Sequence, residues 1–210
     1  MILIGQYDSS FVRRVGIALK FYGIPFEHRP WSTFSDADRI AGYNPLLRVP
    51  TLVLDDGDAL MDSHVILDYV DRLVAPDQRM YPQEEPQRHR ALHVAALATG
   101  LADKVVSLFY EKVLHKGHVS PLWVERCTTQ IANTLKVLEE SRASAPTEYW
   151  FGKRIGHADI GVTAALRHFR DSHPDLAPML EKCPAVAAHA AKLEAMPVFQ
   201  EISQPFIPPA

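Results

Sequence analysis

The apolar positions in the first third of the chain come in short runs that Gly, Pro, Asn and Asp interrupt. A brief apolar run predicts a strand, whereas apolar residues three and four positions apart predict one face of a helix. Residues 55–58, with the sequence DDGD, lie between two such runs and predict a hairpin turn. The predicted elements are, in order, strand 1–6, helix 11–22, strand 26–29, a weakly helical stretch 35–43, strands 51–54 and 59–61, and helix 62–74.

Strand signals disappear after residue 86, and Ala- and Leu-rich helical patterns take their place. Prolines mark the ends of these patterns, because a proline ring disrupts the interior of a helix. The segment 75–86 contains three prolines and is typical of a linker between domains. The proline-rich tail 204–210 is expected to be irregular. The predicted helices are 87–115, 121–142, 157–173, 175–182 and 185–195.

This order of elements predicts two domains of different class. A strand–helix–strand unit supplies two parallel strands and the hairpin adds two antiparallel ones, so the first domain should be a four-stranded mixed sheet with helices on its faces. The fold class is therefore α/β followed by all-α. The predicted boundaries are 1–75 for the α/β domain, 76–86 for the linker and 87–210 for the helical domain.

Composition narrows the class of protein further. The 210 residues are 47% apolar and 22% charged, which is typical of a folded chain. A formal net charge of −3 argues against a nucleic-acid-binding face. No uncharged apolar run approaches the roughly 20 residues that span a bilayer, so we expect no transmembrane helix and no membrane partner. The first residues lack the basic flank of a signal peptide.

Cysteine and histidine usage adds two expectations. Cys127 and Cys183 make no disulfide framework, which favours a cytoplasmic location. His89 and His93 have the spacing that places two ligands on one helix face, but no third ligand is evident nearby. A solvated helix face is the favoured interpretation, so no metal is expected.

Three local features carry candidate chemistry, and each also has a purely structural interpretation. Tyr7, Ser9 and Ser10 lie at the junction of the first strand and first helix, where free N–H groups favour an anion. Pro50 opens a predicted strand, and a cis bond there would turn the Val49 main chain outward to pair with a peptide-like ligand. These residues also suit an ordinary helix cap and an ordinary strand edge.

The third feature is Asp62-Ser63, ahead of an apolar helix. A serine at free helix N–H groups can hold a carboxylate while the aspartate takes an ammonium, so together they match the two charges of an α-amino acid. The structural interpretation is again a helix cap.

Taken in order, these features resemble the glutathione S-transferase superfamily over essentially the whole chain. Residues 44–52, NPLLRVPTL, are similar to the family's NPxxxVPxL segment, and residues 62–69, DSHVILDY, to its (E/D)SxxIxxY segment. Residues 156–160, GHADI, resemble the S/TxADI start of its buried helix, with Gly156 in place of the capping Ser or Thr. The resemblance implies a thioredoxin-like first domain and a helical-bundle second domain.

The resemblance also implies roles for individual residues. Pro50 would follow a cis bond, Val49 would pair with the cysteinyl part of glutathione, Asp62 and Ser63 would hold the γ-glutamyl end, and Arg48 would lie near the tripeptide. Ser9 matches the hydroxyl of the serine-type classes, which donates to the glutathione sulfur. Ser10 and Tyr7 remain alternative sulfur donors. The hydrophobic substrate site is expected to be lined by Tyr7, Phe11, Trp31, Phe34, Phe109 and Tyr110.

The resemblance therefore implies a homodimeric glutathione transferase that conjugates a hydrophobic electrophile in detoxification, with glutathione as co-substrate. One alternative is a glutathione-dependent isomerase or a disulfide or peroxide reductase of the same superfamily. The absence of a cysteine from residues 7–11 argues against the cysteine-type members. The other alternative is a protein-interaction member without enzymatic activity.

Overall fold

A computed structural model describes residues 1–208. The first domain contains β1 Ile2–Ile4, α1 Ser10–Phe21, β2 Glu27–Arg29, α2 Ala37–Ala41, β3 Thr51–Val53, β4 Ala59–Met61 and α3 Ser63–Arg72. The helical part contains α4 Gln87–Leu114, α5 Pro121–Ala143, α6 His157–Ser172, α7 Pro184–Glu194 and α8 Pro197–Glu201.

The sheet has the strand order β2-β1-β3-β4. β1 pairs in parallel with β2, whereas β1–β3 and β3–β4 are antiparallel, so the predicted mixed sheet is confirmed. Leu3 and Leu52 lie fully buried in register at its centre and pack against α1 and α3. The α/β domain followed by a helical domain is the fold class that the sequence predicts.

Helix α1 joins the two domains, because it packs against α3 on one side and α6 on the other. Arg13, on this helix, is 2% exposed and forms a bidentate ion pair with Glu194, at 2.6 and 2.8 Å. It also donates to the main-chain oxygens of Ile202 and Phe199, each at 2.8 Å. A buried guanidinium is therefore fully paired and fixes α1 against the C-terminal helices.

A second buried polar group holds the helical domain on the first. Asp71 of α3 accepts a hydrogen bond from the Tyr22 hydroxyl and one of 3.1 Å from the Met80 N–H. Its carboxylate also lies 2.9 Å from Nε2 of His157, at the start of α6. Burial lowers the pKa of His157, which keeps this ring neutral. These contacts join the C-terminal ends of α1 and α3 to the linker and to the start of α6.

Helix α4 is long and apolar enough to cross a membrane by length and composition alone. In this fold, α4 is the helix against which both α5 and α6 pack. Residues from it, including Leu101, Val105 and Leu108, are fully buried in the core of the helical domain. The central helix of a helical domain can meet the same length and composition criteria as a membrane-spanning helix, and α4 is such a central helix.

Two elements of the C-terminal half differ from the sequence prediction, and a third part is confirmed. The expected helix 175–182 is a 3-10 helix that covers only Ala177–Lys182. A short helix, α8, forms where none was predicted, because Pro197 starts a helix as readily as it ends one. The tail from Gln204 to Pro208 is irregular, as predicted, but it lies against the first domain.

The start of α6 explains why Gly156 stands in place of a capping Ser or Thr. Asp159 Oδ2 accepts a hydrogen bond of 2.9 Å from the Gly156 N–H, so one half of the reciprocal cap is present. The other half needs a side chain at 156, which glycine lacks. A Cβ at this position would lie 2.9 Å from the Met80 carbonyl oxygen, so the close approach of the linker excludes a side chain.

Replacing Gly156 with Ala is expected to lower the free energy of unfolding by about 1–3 kcal/mol, because the added methyl group overpacks against Met80. Gly100→Ala is the matched control, since a Cβ at Gly100 meets nothing within 4 Å in the middle of α4. That control should be neutral or stabilising by up to about 1 kcal/mol. Urea unfolding measures both, and equal effects would contradict the steric account.

A cleft lined by the starts of two helices

Two cavities lie side by side between the domains. The larger has a volume of about 810 Å³ and the smaller about 240 Å³. Phe11, Arg48 and Val49 line both cavities and form their shared wall. The larger cavity reaches the start of α1, and the smaller reaches the start of α3. We refer to these two adjacent cavities together as the cleft, and the three sequence features with candidate chemistry all border it.

Ser9 and Ser10 lie where α1 begins. Ser9 is the N-cap, and its Oγ accepts a long hydrogen bond of 3.5 Å from the Val12 N–H. A hydroxyl that accepts as a cap keeps its own hydrogen free to donate, so the capping and sulfur-donor interpretations are compatible. Ser10 is 4% exposed, and its Oγ has no hydrogen-bond partner within residues 1–208. Both residues line the larger cavity.

The loop before β3 presents the Val49 main chain to the cleft. The Val49–Pro50 peptide bond is cis, as the resemblance implies. Asn44 holds this loop, because its Nδ2 donates to the Arg48 carbonyl at 2.9 Å and to Thr51 Oγ1 at 3.0 Å. Within residues 1–208, neither the N–H nor the C=O of Val49 has a hydrogen-bond partner. An extended ligand can therefore pair with both groups, as an added strand does.

Asp62 and Ser63 begin α3 at the end of the smaller cavity. Asp62 adopts a left-handed backbone conformation, with φ of 70°, and its Oδ1 accepts a 2.8 Å hydrogen bond from the His64 N–H. Ser63 is 3% exposed, and its Oγ accepts a long bond of 3.5 Å from Nη1 of the buried Arg14. Because a guanidinium can only donate, the hydrogen of the Ser63 hydroxyl is left to donate elsewhere. Burial lowers the pKa of Arg14.

Arg48 lies at the mouth of the cleft. Its side chain is 68% exposed, and its Nη2 lies 4.0 Å from a carboxylate oxygen of Asp103. A pair this exposed contributes little to stability. Its guanidinium is therefore free to bind an anionic group of a ligand that occupies the shared wall.

Aromatic side chains line the larger cavity, and five of the six predicted substrate-site residues are among them. Phe34 and Tyr110 pack edge to face with their ring centroids 5.7 Å apart. Burial raises the pKa of Tyr110, so its hydroxyl stays protonated. The five residues are Phe11, Trp31, Phe34, Phe109 and Tyr110.

Tyr7 is the exception, because it is not among the residues that line the larger cavity. Among residues 1–208, it lies outside the lining of both cavities. Its ring stacks on His28 with a centroid distance of 3.8 Å and packs under α1 near Gly16 and Ile202. Burial raises its pKa to about 12. The short β1–α1 connection turns this side chain into the core rather than toward the cleft.

The C-terminal tail supplies residues that the sequence interpretation missed. The Gln204 side chain accepts a 2.9 Å bond from the Tyr7 N–H, and the Ile207 N–H donates to Asp8 Oδ2 at 3.0 Å. These bonds lay Phe206 against Phe109 inside the larger cavity, with ring centroids 5.0 Å apart. No local pattern marks such a contact, because it joins residues almost 200 positions apart.

His168 of α6 was also missed as a cavity residue. It is 7% exposed, lines the larger cavity, and its Nδ1 lies 3.0 Å from the Asp8 carbonyl oxygen. Burial lowers its pKa to about 4, so the ring is neutral at physiological pH. The only sequence signal was a histidine within the apolar pattern of a buried helix.

Because His168 is buried, we expect the free energy of unfolding to decrease as the pH is lowered. Unfolded histidine binds a proton below about pH 6.5, whereas folded His168 stays neutral down to about pH 4. The unfolded state therefore binds the extra proton, and stability present above pH 6.5 is lost as the pH falls toward 4. This group should contribute up to about 1.4 kcal/mol per pH unit in that window. Burial lowers the pKa of His64 in the same direction.

Urea unfolding between pH 7 and about pH 5 measures this slope. His168→Asn retains a donor that can reach the Asp8 carbonyl but removes the titrating ring, so its slope should be shallower than that of the wild type. Equal slopes for the two proteins would show that His168 is not held neutral by burial.

Within residues 1–208, no group of three or more His, Cys, Asp or Glu side chains is placed to hold a metal ion. His89 instead lies 2.7 Å from Glu85 on the exposed face of α4. Cys127 and Cys183 are buried and are not joined in a disulfide.

The fold and the cleft define a class: a thioredoxin-like domain joined to a helical bundle, with two helix starts and an open main-chain edge that border two adjacent cavities. Two family models match this chain: "Glutathione S-transferase, N-terminal domain" over residues 3–78 and "Glutathione S-transferase, C-terminal domain" over residues 121–192. The chain belongs to the glutathione S-transferase superfamily.

Individual relatives agree with this assignment. The chain is 33% identical to an uncharacterized GST-like protein, YibF, of Escherichia coli K12, over 66% of this chain and 68% of that protein. It is 26% identical to glutathione S-transferase U6 of Arabidopsis thaliana, over 75% of this chain and 66% of that one.

Solved structures show the same fold. A glutathione S-transferase of Methylobacterium radiotolerans in complex with glutathione sulfonate is 25% identical, has a TM-score of 0.89, and is matched over 99% of this chain and 97% of that one. A glutathione transferase family member from Pseudomonas fluorescens Pf-5 with bound glutathione is 29% identical, with a TM-score of 0.85, over 98% and 99% of the two chains.

Proposed function

We propose that this protein is a glutathione transferase that binds glutathione in the cleft, stabilises its thiolate and conjugates it to a hydrophobic electrophile. The observation that carries the proposal is that the two adjacent cavities share Phe11, Arg48 and Val49 as lining residues. The smaller cavity suits an amino-acid head group, the shared wall an extended peptide, and the larger cavity an apolar second substrate. The relatives from M. radiotolerans and P. fluorescens, which hold glutathione sulfonate and glutathione, support this assignment.

Charge complementarity sets the orientation of the tripeptide. The γ-glutamyl end of glutathione carries an ammonium and a carboxylate on one carbon. Asp62 offers the anion for the ammonium, and the Ser63 hydroxyl with the free N–H groups of α3 offers donors for the carboxylate. The cysteinyl main chain then pairs with Val49 beside Pro50, and Arg48 lies near the remaining carboxylate.

This orientation brings the sulfur toward the start of α1, where Ser9 acts on it. A serine hydroxyl is too weak an acid to supply charge, so it serves as a donor that favours the thiolate over the thiol. The partial positive charge at the helix start acts in the same direction. The thiol proton leaves to solvent. The sulfur then forms a bond to the electrophilic carbon while the leaving group departs with its electron pair.

The setting of this activity is part of the same proposal. As family membership suggests, the enzyme acts as a homodimer, and the absence of a disulfide framework in the sequence is compatible with a reducing cytoplasm. Conjugation of hydrophobic electrophiles at such a site serves detoxification.

Two measurements on the intact protein test the proposal. The protein should be retained on immobilised glutathione and eluted by free glutathione, and it should accelerate the reaction of glutathione with 1-chloro-2,4-dinitrobenzene. Failure to bind glutathione would refute the proposal and favour a protein-interaction role. Binding without turnover of this or other electrophiles would refute the transferase step but not the binding site.

A further inference from the structure

The ring of His168 presents an acceptor that the fold leaves without a partner. The main-chain oxygen of Asp8 can only accept, so the hydrogen of the neutral imidazole resides on Nδ1, 3.0 Å from that oxygen. Nε2 is therefore a bare acceptor. It is buried and has no hydrogen-bond partner within residues 1–208. Buried polar atoms in folded proteins nearly always have a hydrogen-bond partner, so we expect Nε2 of His168 to pair with a group that does not belong to this chain.

The position of the ring shows where such a partner enters. His168 lines the larger cavity together with Ser9 and Ser10. The Phe206 ring covers it edge to face, with ring centroids 5.5 Å apart. Phe206 belongs to the irregular tail rather than to a helix, so it is the neighbour that a ligand can displace most readily.

We propose that His168 is a specificity-determining residue whose Nε2 accepts a hydrogen bond from the second substrate, so that the larger cavity prefers electrophiles with a hydroxyl or N–H group in their apolar part. The inference rests on the proposed function, because it assigns a substrate class to the cavity beside the glutathione sulfur. The surrounding aromatic rings bind the apolar part of the electrophile, and Nε2 of His168 accepts a hydrogen bond from its hydroxyl or N–H group. A neutral ring is required for this role, and the low pKa of about 4 keeps it neutral.

Two substitutions separate the acceptor from the bond that holds the ring in place. His168→Asn keeps a donor near the position of Nδ1, and so can retain the bond to Asp8, but it removes the acceptor at Nε2. His168→Gln carries an oxygen acceptor near the position of Nε2 and loses the donor to Asp8. The inference and a merely structural role of His168 therefore predict opposite outcomes for the two variants.

The test measures binding of glutathione conjugates by calorimetry, which needs no turnover. The probes are S-hexylglutathione and three analogues with a hydroxyl group on carbon 2, 4 or 6 of the hexyl chain. At least one hydroxylated analogue should bind the wild type about ten-fold more tightly than S-hexylglutathione. That preference should disappear in His168→Asn and persist in His168→Gln.

The outcomes distinguish this inference from the proposed function. Tight binding of S-hexylglutathione without any preference for a hydroxylated analogue would overturn the inference and leave the proposed function standing. A preference that survives in His168→Asn would overturn it as well. If no conjugate binds, the glutathione site itself is refuted, and the inference falls with it.

Discussion

Ser9→Ala is expected to raise the pKa of the thiol of bound glutathione by about 1–2 units and to reduce kcat/KM at neutral pH by about 10- to 100-fold. Lowering a thiol pKa from about 8.5 to about 6.5 requires roughly 2.7 kcal/mol of differential stabilisation of the thiolate. One charge-assisted hydrogen bond contributes about 1.5–3 kcal/mol and a helix start about 0.3–1 kcal/mol. Loss of the Ser9 hydroxyl therefore removes most of the stabilisation of the thiolate. Thiolate absorbance of the binary complex, titrated against pH, measures it.

Ser10→Ala and Tyr7→Phe are the matched controls for this prediction. Tyr7 packs against His28 beneath α1, so removal of its hydroxyl should leave the thiol pKa unchanged. Ser10 is buried and its hydroxyl is unpaired. Loss of this hydroxyl in Ser10→Ala should also leave the thiol pKa unchanged. An unchanged thiol pKa in Ser9→Ala together with a raised one in Ser10→Ala would move the sulfur donor to Ser10.

Arg13→Met is expected to lower the free energy of unfolding by about 3–5 kcal/mol. The substitution keeps the apolar stem but leaves Glu194, which is 17% exposed, without its bidentate partner. The carbonyl oxygens of Ile202 and Phe199 also lose their donors. Glu194 keeps an ion pair with Arg167 at 3.3 Å, so much of the expected loss comes from the two buried carbonyl oxygens that are left without a donor. Urea unfolding of the two proteins measures the difference.

Lys20→Met provides the comparison for Arg13→Met. Lys20 lies on the same helix and pairs with Glu201 at 2.5 Å, but its side chain is 41% exposed. Water can solvate the remaining Glu201 carboxylate, which is 56% exposed, so the expected loss is below about 1 kcal/mol. Similar losses in the two variants would contradict the view that buried pairing by Arg13 holds the domains together.

Much of the fold could be predicted because local signals determine it. The DDGD turn at residues 55–58 fixed a hairpin whose strands were placed to within one residue. The prolines ended helices close to their observed bounds, since a missing N–H group acts locally. The same holds for the cleft residues that cap helices or precede Pro50, because their roles depend on their own elements.

The side-chain positions that could not be predicted depend on contacts between residues that are far apart in the sequence. Tyr7 could not be assigned to the core from its sequence position, because the packing of α1 against the C-terminal helices decides which way its ring points. His168 and Phe206 reach the cavity only through bonds to Asp8 and through packing on Phe109. Such contacts leave no periodic trace in a single sequence.

The account rests most directly on where glutathione lies, and a crystal structure of the protein soaked with glutathione tests it. The account predicts the γ-glutamyl carboxylate on Ser63, its ammonium on Asp62, main-chain hydrogen bonds from the cysteinyl residue to Val49, and the sulfur within hydrogen-bond distance of Ser9 Oγ. Glutathione bound outside this cleft, or bound with its sulfur away from the start of α1, would contradict it.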